Sequence, residues 1–208
     1  MSPGLPSFEA LPLFPLNTVL FPGGLLSLKI FEARYLDMVA QCLRERSPFG
    51  VVALTRGQEV RRPGEATSFE AVGCLAELLD CDSPSTGILH IRCKGTQRFQ
   101  TTQPQQAADG LWLAPVQCLP DDPASSPNAE QASTVAALER AMQALEAQGS
   151  LPFLTPSKLD DAAWVANRWC ELLPIPLAAR QSLMELPDPV ARLELVRQFL
   201  RQHEVIED

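Results

Sequence analysis

The chain has 208 residues, of which 46% are hydrophobic, so it is long enough for one or two domains with real cores, and global disorder is excluded. It carries 17 basic and 25 acidic residues, a net charge of −8. This charge argues against a protein that binds nucleic acid or anionic lipid by electrostatic attraction over its whole surface. Residues 1–120 hold 10 basic and 11 acidic side chains, whereas residues 121–208 hold 7 and 14. The two parts differ in composition, so we expect them to differ in architecture.

The first 120 residues predict short strands around one helix. Apolar or alternating runs occur at residues 11–14, 25–30, 49–54, 69–79, 88–94, 98–101 and 111–119. In residues 88–94, Leu89, Ile91 and Cys93 fall on one face of a strand and the polar residues fall on the other. We expect Gly95 to interrupt this strand and Gly73 to bend an earlier one. Such spacing favours a compact, partly closed sheet over a βαβ series.

The single helix of this part is predicted to run from Phe31 to the Ser47-Pro48 pair. Phe31, Tyr35, Met38 and Cys42 recur at i, i+4, i+7 and i+11, which is one face of an α-helix of about four turns.

The remaining residues predict a linker and then a helical bundle. The stretch from residue 120 to 128 has three prolines and little to bury, so residues 121–128 are predicted to be a linker. Residues 129–208 show helical stripes throughout, with Asn128 and Asp188 as N-caps and Pro189 at a first helical position. The expected domains are therefore 1–120 and 129–208.

Features of targeting and covalent chemistry are scarce. The N-terminus has no secretory-signal pattern, and the apolar residues 19–28 are too few to span a bilayer, so we expect a cytoplasmic protein without a membrane partner. The six cysteines form no C-x-x-C pair and predict buried, reduced thiols. No phosphate-binding loop, zinc-ligand spacing or catalytic triad is visible, and His90 and His203 read as surface residues. We therefore predict no enzyme activity, no catalytic or metal-binding residues and no cofactor.

Two long ordered patterns carry a family resemblance. Residues 11–23 read LPLFPLNTVLFPG and residues 28–35 read LKIFEARY. Together they closely resemble the opening of the Lon protease N-terminal (substrate-recognition) domain family. Residues 50–54, 72–76, 94–99 and 183–193 are similar to later parts of the same family, so the resemblance covers most of the chain. The family usually has proline where Ala33 stands.

The resemblance implies an α+β fold, a PUA-like β pseudo-barrel with one helix followed by an α-helical bundle. It also implies a free-standing bacterial binding module that contacts unfolded or exposed apolar polypeptide segments, as a protease adaptor or chaperone-like factor. The ATPase and protease motifs of the full-length family have no counterpart in these residues. Turn-borne apolar residues are hard to bury, so we expect Phe14, Leu16, Phe21 and Leu25 to form part of the client-binding surface.

Two alternatives stay open. The barrel could bind RNA through a basic face, whose members would be Arg56, Arg61, Arg62, Arg92, Lys94 and Arg98. Of these, Arg56, Arg61 and Arg62 are the strongest local cluster and would form an anion site. An unrecognised cysteine hydrolase is the other alternative, and it requires a reactive thiol. Protein or peptide clients are the expected partners, a homodimer is compatible with the sequence, and nucleic acid is disfavoured.

Overall fold

A computed structural model of the chain describes residues 4–59, 66–150 and 152–207. The chain divides into two compact units, residues 1–121 and 122–208. Within the described residues, the first unit has seven strands and one helix, and the second has four α-helices and a short 3₁₀ helix. The predicted α+β class, a β pseudo-barrel followed by a helical bundle, is confirmed.

The first unit is a sheet that closes on itself. Its elements are β1 (Ser7–Leu16), β2 (Leu25–Ile30), α1 (Ala33–Glu45), β3 (Phe49–Arg56), β4 (Ser68–Ser85), β5 (Ile88–Thr101), β6 (Gln105–Gln106) and β7 (Trp112–Cys118). The strand order is β2-β5-β4-β3-β1-β7-β6, and an additional β5–β7 pairing closes the barrel. Among the described strands, only β1 and β3 run parallel. In this order β2 is a terminal strand, and of the described strands it pairs with β5 alone.

The barrel interior is closed around the ring of Phe99, which is fully buried. Two glycines make room for this ring, because a Cβ at Gly50 would lie 2.7 Å and a Cβ at Gly73 would lie 2.6 Å from its Cζ atom. Gly95 does not interrupt the strand as expected: β5 continues through it. The Gly95 amide donates to the Gly24 carbonyl at 2.9 Å, and its carbonyl accepts from Gly23, so this glycine lets the loop before β2 approach β5 closely.

Helix α1 forms a second core with the strands. Tyr35, Met38, Val39 and Cys42 are buried in a cluster that includes Phe14, whose ring stacks on that of Tyr35 with centroids 3.8 Å apart. The helix begins at Ala33, after extended Glu32, so the expectation that Phe31 starts its buried face is wrong. Phe31 precedes the helix and its side chain is 53% exposed.

The helical unit is built around one buried helix. Its elements are a 3₁₀ turn (Ala129–Gln131), α2 (Ala132–Ala147), α3 (Ala162–Leu172), α4 (Leu177–Glu185) and α5 (Pro189–Gln202). Residues 164–170 of α3 are all buried. The Asn128 side chain caps the 3₁₀ turn, and the Asp188 carboxylate accepts from two amides at the start of α5.

The segment expected to be a linker makes specific contacts within the helical unit. The Asp122 carboxylate pairs with Arg192 at 2.8 Å, and the Ser125 carbonyl accepts a hydrogen bond from the Ala162 amide. The proline-rich segment is therefore held against helices α3 and α5, because its Ser125 carbonyl and its Asp122 carboxylate have partners there.

Candidate functional site

Three of the four apolar residues predicted to face a client are in the core. Phe14, Leu16 and Phe21 are only 6%, 3% and 0% exposed, so the expectation that they lie on an open surface is wrong. Phe14 and Leu16 nevertheless line the small pocket described below. Phe14 is covered by Tyr35, and Phe21 lies beside the close contact between its loop and Gly95. Leu25, at the start of β2, is half-buried.

The basic residues do not form one face in the described parts of the chain. Arg56 is exposed at the end of β3, while Arg61 and Arg62 lie outside the described residues. Arg98 is buried and donates to the Pro120 carbonyl at 3.3 Å. Arg92 and Lys94 are exposed on β5, directly across from Asp80 and Glu77 of β4. Both exposed basic side chains of this strand thus face an acid, which weakens their attraction for phosphate.

The cysteines and the other metal-ligating side chains are the remaining candidates for chemistry. Five of the six cysteines are buried and Cys81 is half-buried. Burial raises the pKa of Cys93 and of Cys170 to about 12, so both thiols stay protonated at neutral pH. The described residues contain no group of three or more His, Cys, Asp or Glu side chains placed to hold a metal ion. In the same described ranges, no helix has the length and apolar character needed to cross a bilayer.

An apolar pocket lies along the open edge of β2, and we name it the β2 cleft. Residues 28–32 line it together with Phe14, Leu16, Tyr35 and Glu59, and its volume is about 70 Å³. Successive side chains of a strand point to opposite faces, so the three consecutive lining residues that belong to β2, Leu28, Lys29 and Ile30, place the pocket beside the strand edge. Exposed Phe31 is among them. The cleft therefore combines a strand edge beside which no other described strand pairs, an apolar pocket and a large exposed aromatic ring.

Charged groups fix the far wall of the β2 cleft. The Glu32 carboxylate pairs with Arg34 at 2.8 Å, and Arg34 also donates to the Gly110 carbonyl and lies over the Tyr35 ring. Residues at i and i+2 of a helix do not share a face, so Glu32 and Arg34 would not meet if both were helical. They meet because Glu32 is extended and precedes the helix. Burial raises the pKa of Tyr35 to about 12, so its hydroxyl is neutral.

A larger groove lies along the edge of β1, and we name it the β1 groove. Its volume is about 440 Å³, within the range of ligand-binding pockets. It is lined by Phe8 and residues 10–12 of β1, by Met38, Gln41, Cys42 and Glu45 of α1, by Ser47 and Pro48, and by Ala107, Asp109, Leu111 and Leu113. Strand β3 pairs with only residues 13–16 of β1, so the earlier part of this edge has no strand beside it among the described strands.

Sequence reasoning missed Phe31 as a surface residue, although a signal existed. The family pattern usually has proline at position 33, and proline is favoured at the first position of a helix. A helix that starts at residue 33 leaves residue 31 outside it. The β1 groove had no comparable signal, because its walls come from segments up to about a hundred residues apart in sequence.

Comparisons with known proteins agree with this architecture. Residues 10–202 match a family model described as the ATP-dependent protease La (LON) substrate-binding domain. The chain is 29% identical over 202 residues to the Lon protease of Phenylobacterium zucineum and 26% identical over 204 residues to Lon protease 2 of Myxococcus xanthus. These matches cover 93% and 95% of this chain but 24% of each relative. The chain thus spans about a quarter of the length of these curated relatives.

Solved structures give the same result. A Lon N-terminal domain protein from Xanthomonas campestris is 33% identical with a TM-score of 0.71, and the match covers 92% of this chain and 98% of that one. The N-terminal domain of a Mycobacterium avium complex Lon protease is 17% identical with a TM-score of 0.64, over 94% and 100% of the two chains, and supports the fold alone. Since the family match extends over nearly the whole sequence, the chain belongs to the ATP-dependent protease La (LON) substrate-binding domain family.

Proposed function

We propose that this protein is a substrate-recognition module that binds extended, apolar segments of other polypeptides at the β2 cleft. The observation that carries the proposal is the open edge of β2 beside an apolar pocket and the exposed ring of Phe31. The family to which the chain belongs supports the same role for it.

The open edge supplies recognition that does not depend on sequence. An extended peptide that pairs with a terminal strand gains main-chain hydrogen bonds whatever its side chains are, and pockets beside the strand select alternate residues. A pocket of about 70 Å³ holds little more than two water molecules, so it suits one aliphatic side chain rather than a bulky ring. This combination suits unfolded clients, which share extended backbone and apolar side chains but no common sequence.

One exposed charge protects the same edge from aggregation. Lys29 is exposed between Leu28 and Ile30, and lysine on an edge strand discourages pairing with a second, identical edge. A module that binds a client without hydrolysing ATP or the client is consistent with two other features. The sequence has no phosphate-binding loop, and burial raises the pKa of the Cys93 and Cys170 thiols. We propose that partner domains or proteins process the bound client, so that this module acts as an adaptor or chaperone-like factor.

Replacing Phe31 by alanine tests the proposal. The probe is a fluorescein-labelled 15-residue peptide of leucine, valine and serine, titrated by fluorescence anisotropy. Burying half of a phenylalanine side chain contributes about 1 kcal/mol, so Phe31→Ala should weaken binding about fivefold. The unfolding temperature should change little because the ring is 53% exposed.

The matched control is Leu43→Ala, which removes a side chain that is 47% exposed on α1 and lines neither pocket. It should leave the dissociation constant unchanged. A probe with alternate amides N-methylated should bind at least tenfold more weakly, because it cannot form the ladder. Equal binding of the plain and methylated probes, or equal binding by wild type and Phe31→Ala, would refute the proposal. A second copy is the competing occupant of this edge, so titrations use concentrations at which sedimentation shows a monomer.

A further inference from the structure

We propose that the β1 groove is a second polypeptide-binding site, one that takes extended segments carrying lysine or arginine beside apolar side chains. This groove is separate from the β2 cleft, since the two sites share no lining residue. The inference rests on the open edge of β1, the apolar floor of the groove and the sign of the charges on its walls.

The strand edge is the first element. Consecutive residues 10–12 line the groove, and β3 begins to pair with β1 only at Leu13. On its other edge, β1 pairs with β7, and the register of that pairing shifts between Phe8 and Leu11. Bulges of this kind commonly lie at sheet edges and binding sites, where they re-aim side chains. An extended segment can therefore lie along this part of β1, where Pro12 has no N–H and any main-chain pairing depends on its neighbours.

The floor of the groove is apolar. Half-buried Phe8, Pro12, Leu111 and Leu113 form it, with the buried side chain of Met38 beneath. Such a surface favours apolar side chains of a client, because their burial removes apolar area from water on both partners. Its volume of about 440 Å³ accommodates several side chains rather than one.

The charges select the client. Glu45 lies at the C-terminal end of α1 and Asp109 lies in the loop before β7, and both are exposed. The Glu45 carboxylate accepts from the Gln41 side chain at 3.0 Å, and the Asp109 carboxylate accepts from the Leu111 amide at 2.9 Å, so local hydrogen bonds hold both acids in place. No described residue that lines the groove is basic. Two carboxylates over an apolar floor complement a segment with a cationic side chain and repel an acidic one.

The two sites lie at opposite ends of the same helix. Glu32 and Tyr35, beside the start of α1, line the β2 cleft, while Glu45 and Ser47, at its other end, line the β1 groove. Thirteen helical residues span about 20 Å, a distance that about six extended residues cover. A long unfolded client can therefore occupy both sites at once and gain avidity that a short peptide cannot.

The test compares two labelled nine-residue peptides that differ only at two positions, lysine in one and glutamate in the other, with alternating leucine elsewhere. Titrations use the full chain carrying Phe31→Ala, which is expected to weaken the β2 cleft about fivefold. The lysine peptide should bind at least about fivefold more tightly at low ionic strength, and added salt should reduce the difference. The double substitution Glu45→Gln with Asp109→Asn should remove the preference, whereas Asp37→Asn, an exposed acid of α1 outside the groove, should keep it.

A steric variant separates the groove from the rest of the surface. Ala10 is exposed and lines the groove, so Ala10→Trp should fill it and weaken both peptides at least about fivefold. Ala144→Trp, at an exposed position of α2, is the matched control. Equal binding of the two peptides, or unchanged binding by Ala10→Trp, overturns this second site and leaves the β2 cleft standing. With the 15-residue probe of leucine, valine and serine, loss of binding in Ala10→Trp but not in Phe31→Ala would overturn the β2 cleft instead.

Discussion

Replacing Arg192 by methionine is expected to destabilise the helical unit by about 3–5 kcal/mol. Arg192 is 1% exposed on α5, and all three of its guanidinium nitrogens donate hydrogen bonds. The acceptors are the Leu183 carbonyl at 2.8 Å, the Asn167 side chain at 2.9 Å, both Asp122 carboxylate oxygens and the Leu186 carbonyl. One side chain thus joins the segment before α2 to α3, to the end of α4 and to α5.

The size of the effect follows from what the substitution leaves behind. Methionine keeps the apolar contacts of the arginine stem but donates nothing, so the Asp122 carboxylate, only 10% exposed, loses its charged partner. Removing one member of a buried ion pair costs about 3–5 kcal/mol because the other charge stays desolvated. Small domains have about 5–15 kcal/mol of stability in total, so this loss is a large fraction of it.

Urea unfolding followed by tryptophan emission and by circular dichroism at 222 nm measures the change. Trp164 and Trp169 both lie in buried α3, so emission reports mainly on the helical unit. The control is Arg197→Met on the same helix, whose partner Glu194 is 30% exposed and which should lose far less. Adding Asp122→Asn to Arg192→Met should recover part of the stability, because it removes the stranded charge. Equal losses in Arg192→Met and Arg197→Met, or no recovery in the double variant, would refute this reasoning.

Three other outcomes are expected. Gly73→Ala should lower stability by about 1–3 kcal/mol in thermal unfolding, because the new Cβ would lie 2.6 Å from the Phe99 ring, whereas Gly4→Ala should be silent because nothing lies within 4 Å. In the native protein at pH 8, a thiol reagent should label no more than one cysteine, half-buried Cys81, and all six after denaturation; rapid labelling of several would contradict the buried positions. Burial raises the pKa of Tyr35 from its ordinary 10 to about 12, so the folded state retains a proton that the unfolded state releases. Stability should therefore fall as pH rises from 10 to 12, and less steeply in Tyr35→Phe; parallel curves would contradict this.

Local sequence predicted the local elements well. The alternation at residues 88–94 is present in β5, where Ile91 and Cys93 are buried and Arg92 and Lys94 are exposed. Asn128 and Asp188 cap helices as expected. These features depend on neighbours a few residues away, so the sequence is enough to read them.

The exposure of residues at the candidate sites could not be read in this way. Phe14, Leu16 and Phe21 are apolar in a turn-rich stretch, and this pattern alone did not reveal that α1 and β5 cover them. Phe31 was assigned to a helix face by periodicity, although the helix starts two residues later. Hydrophobicity identifies the residues that need a partner, but it does not identify the partner.

The sequence by itself determined the α+β class, the contrast between a nearly neutral barrel and an acidic helical unit, and the family. Composition, periodicity and ordered motifs carry that information within short windows of the chain. Only the tertiary structure decided which strand edges stay open, because this depends on pairing between segments far apart in sequence. The edge of β2 is open because β5 covers only its other side, and the edge of β1 is open because β3 starts pairing at Leu13. Strand register is set by the whole sheet, and so the binding surfaces emerge only when the barrel closes.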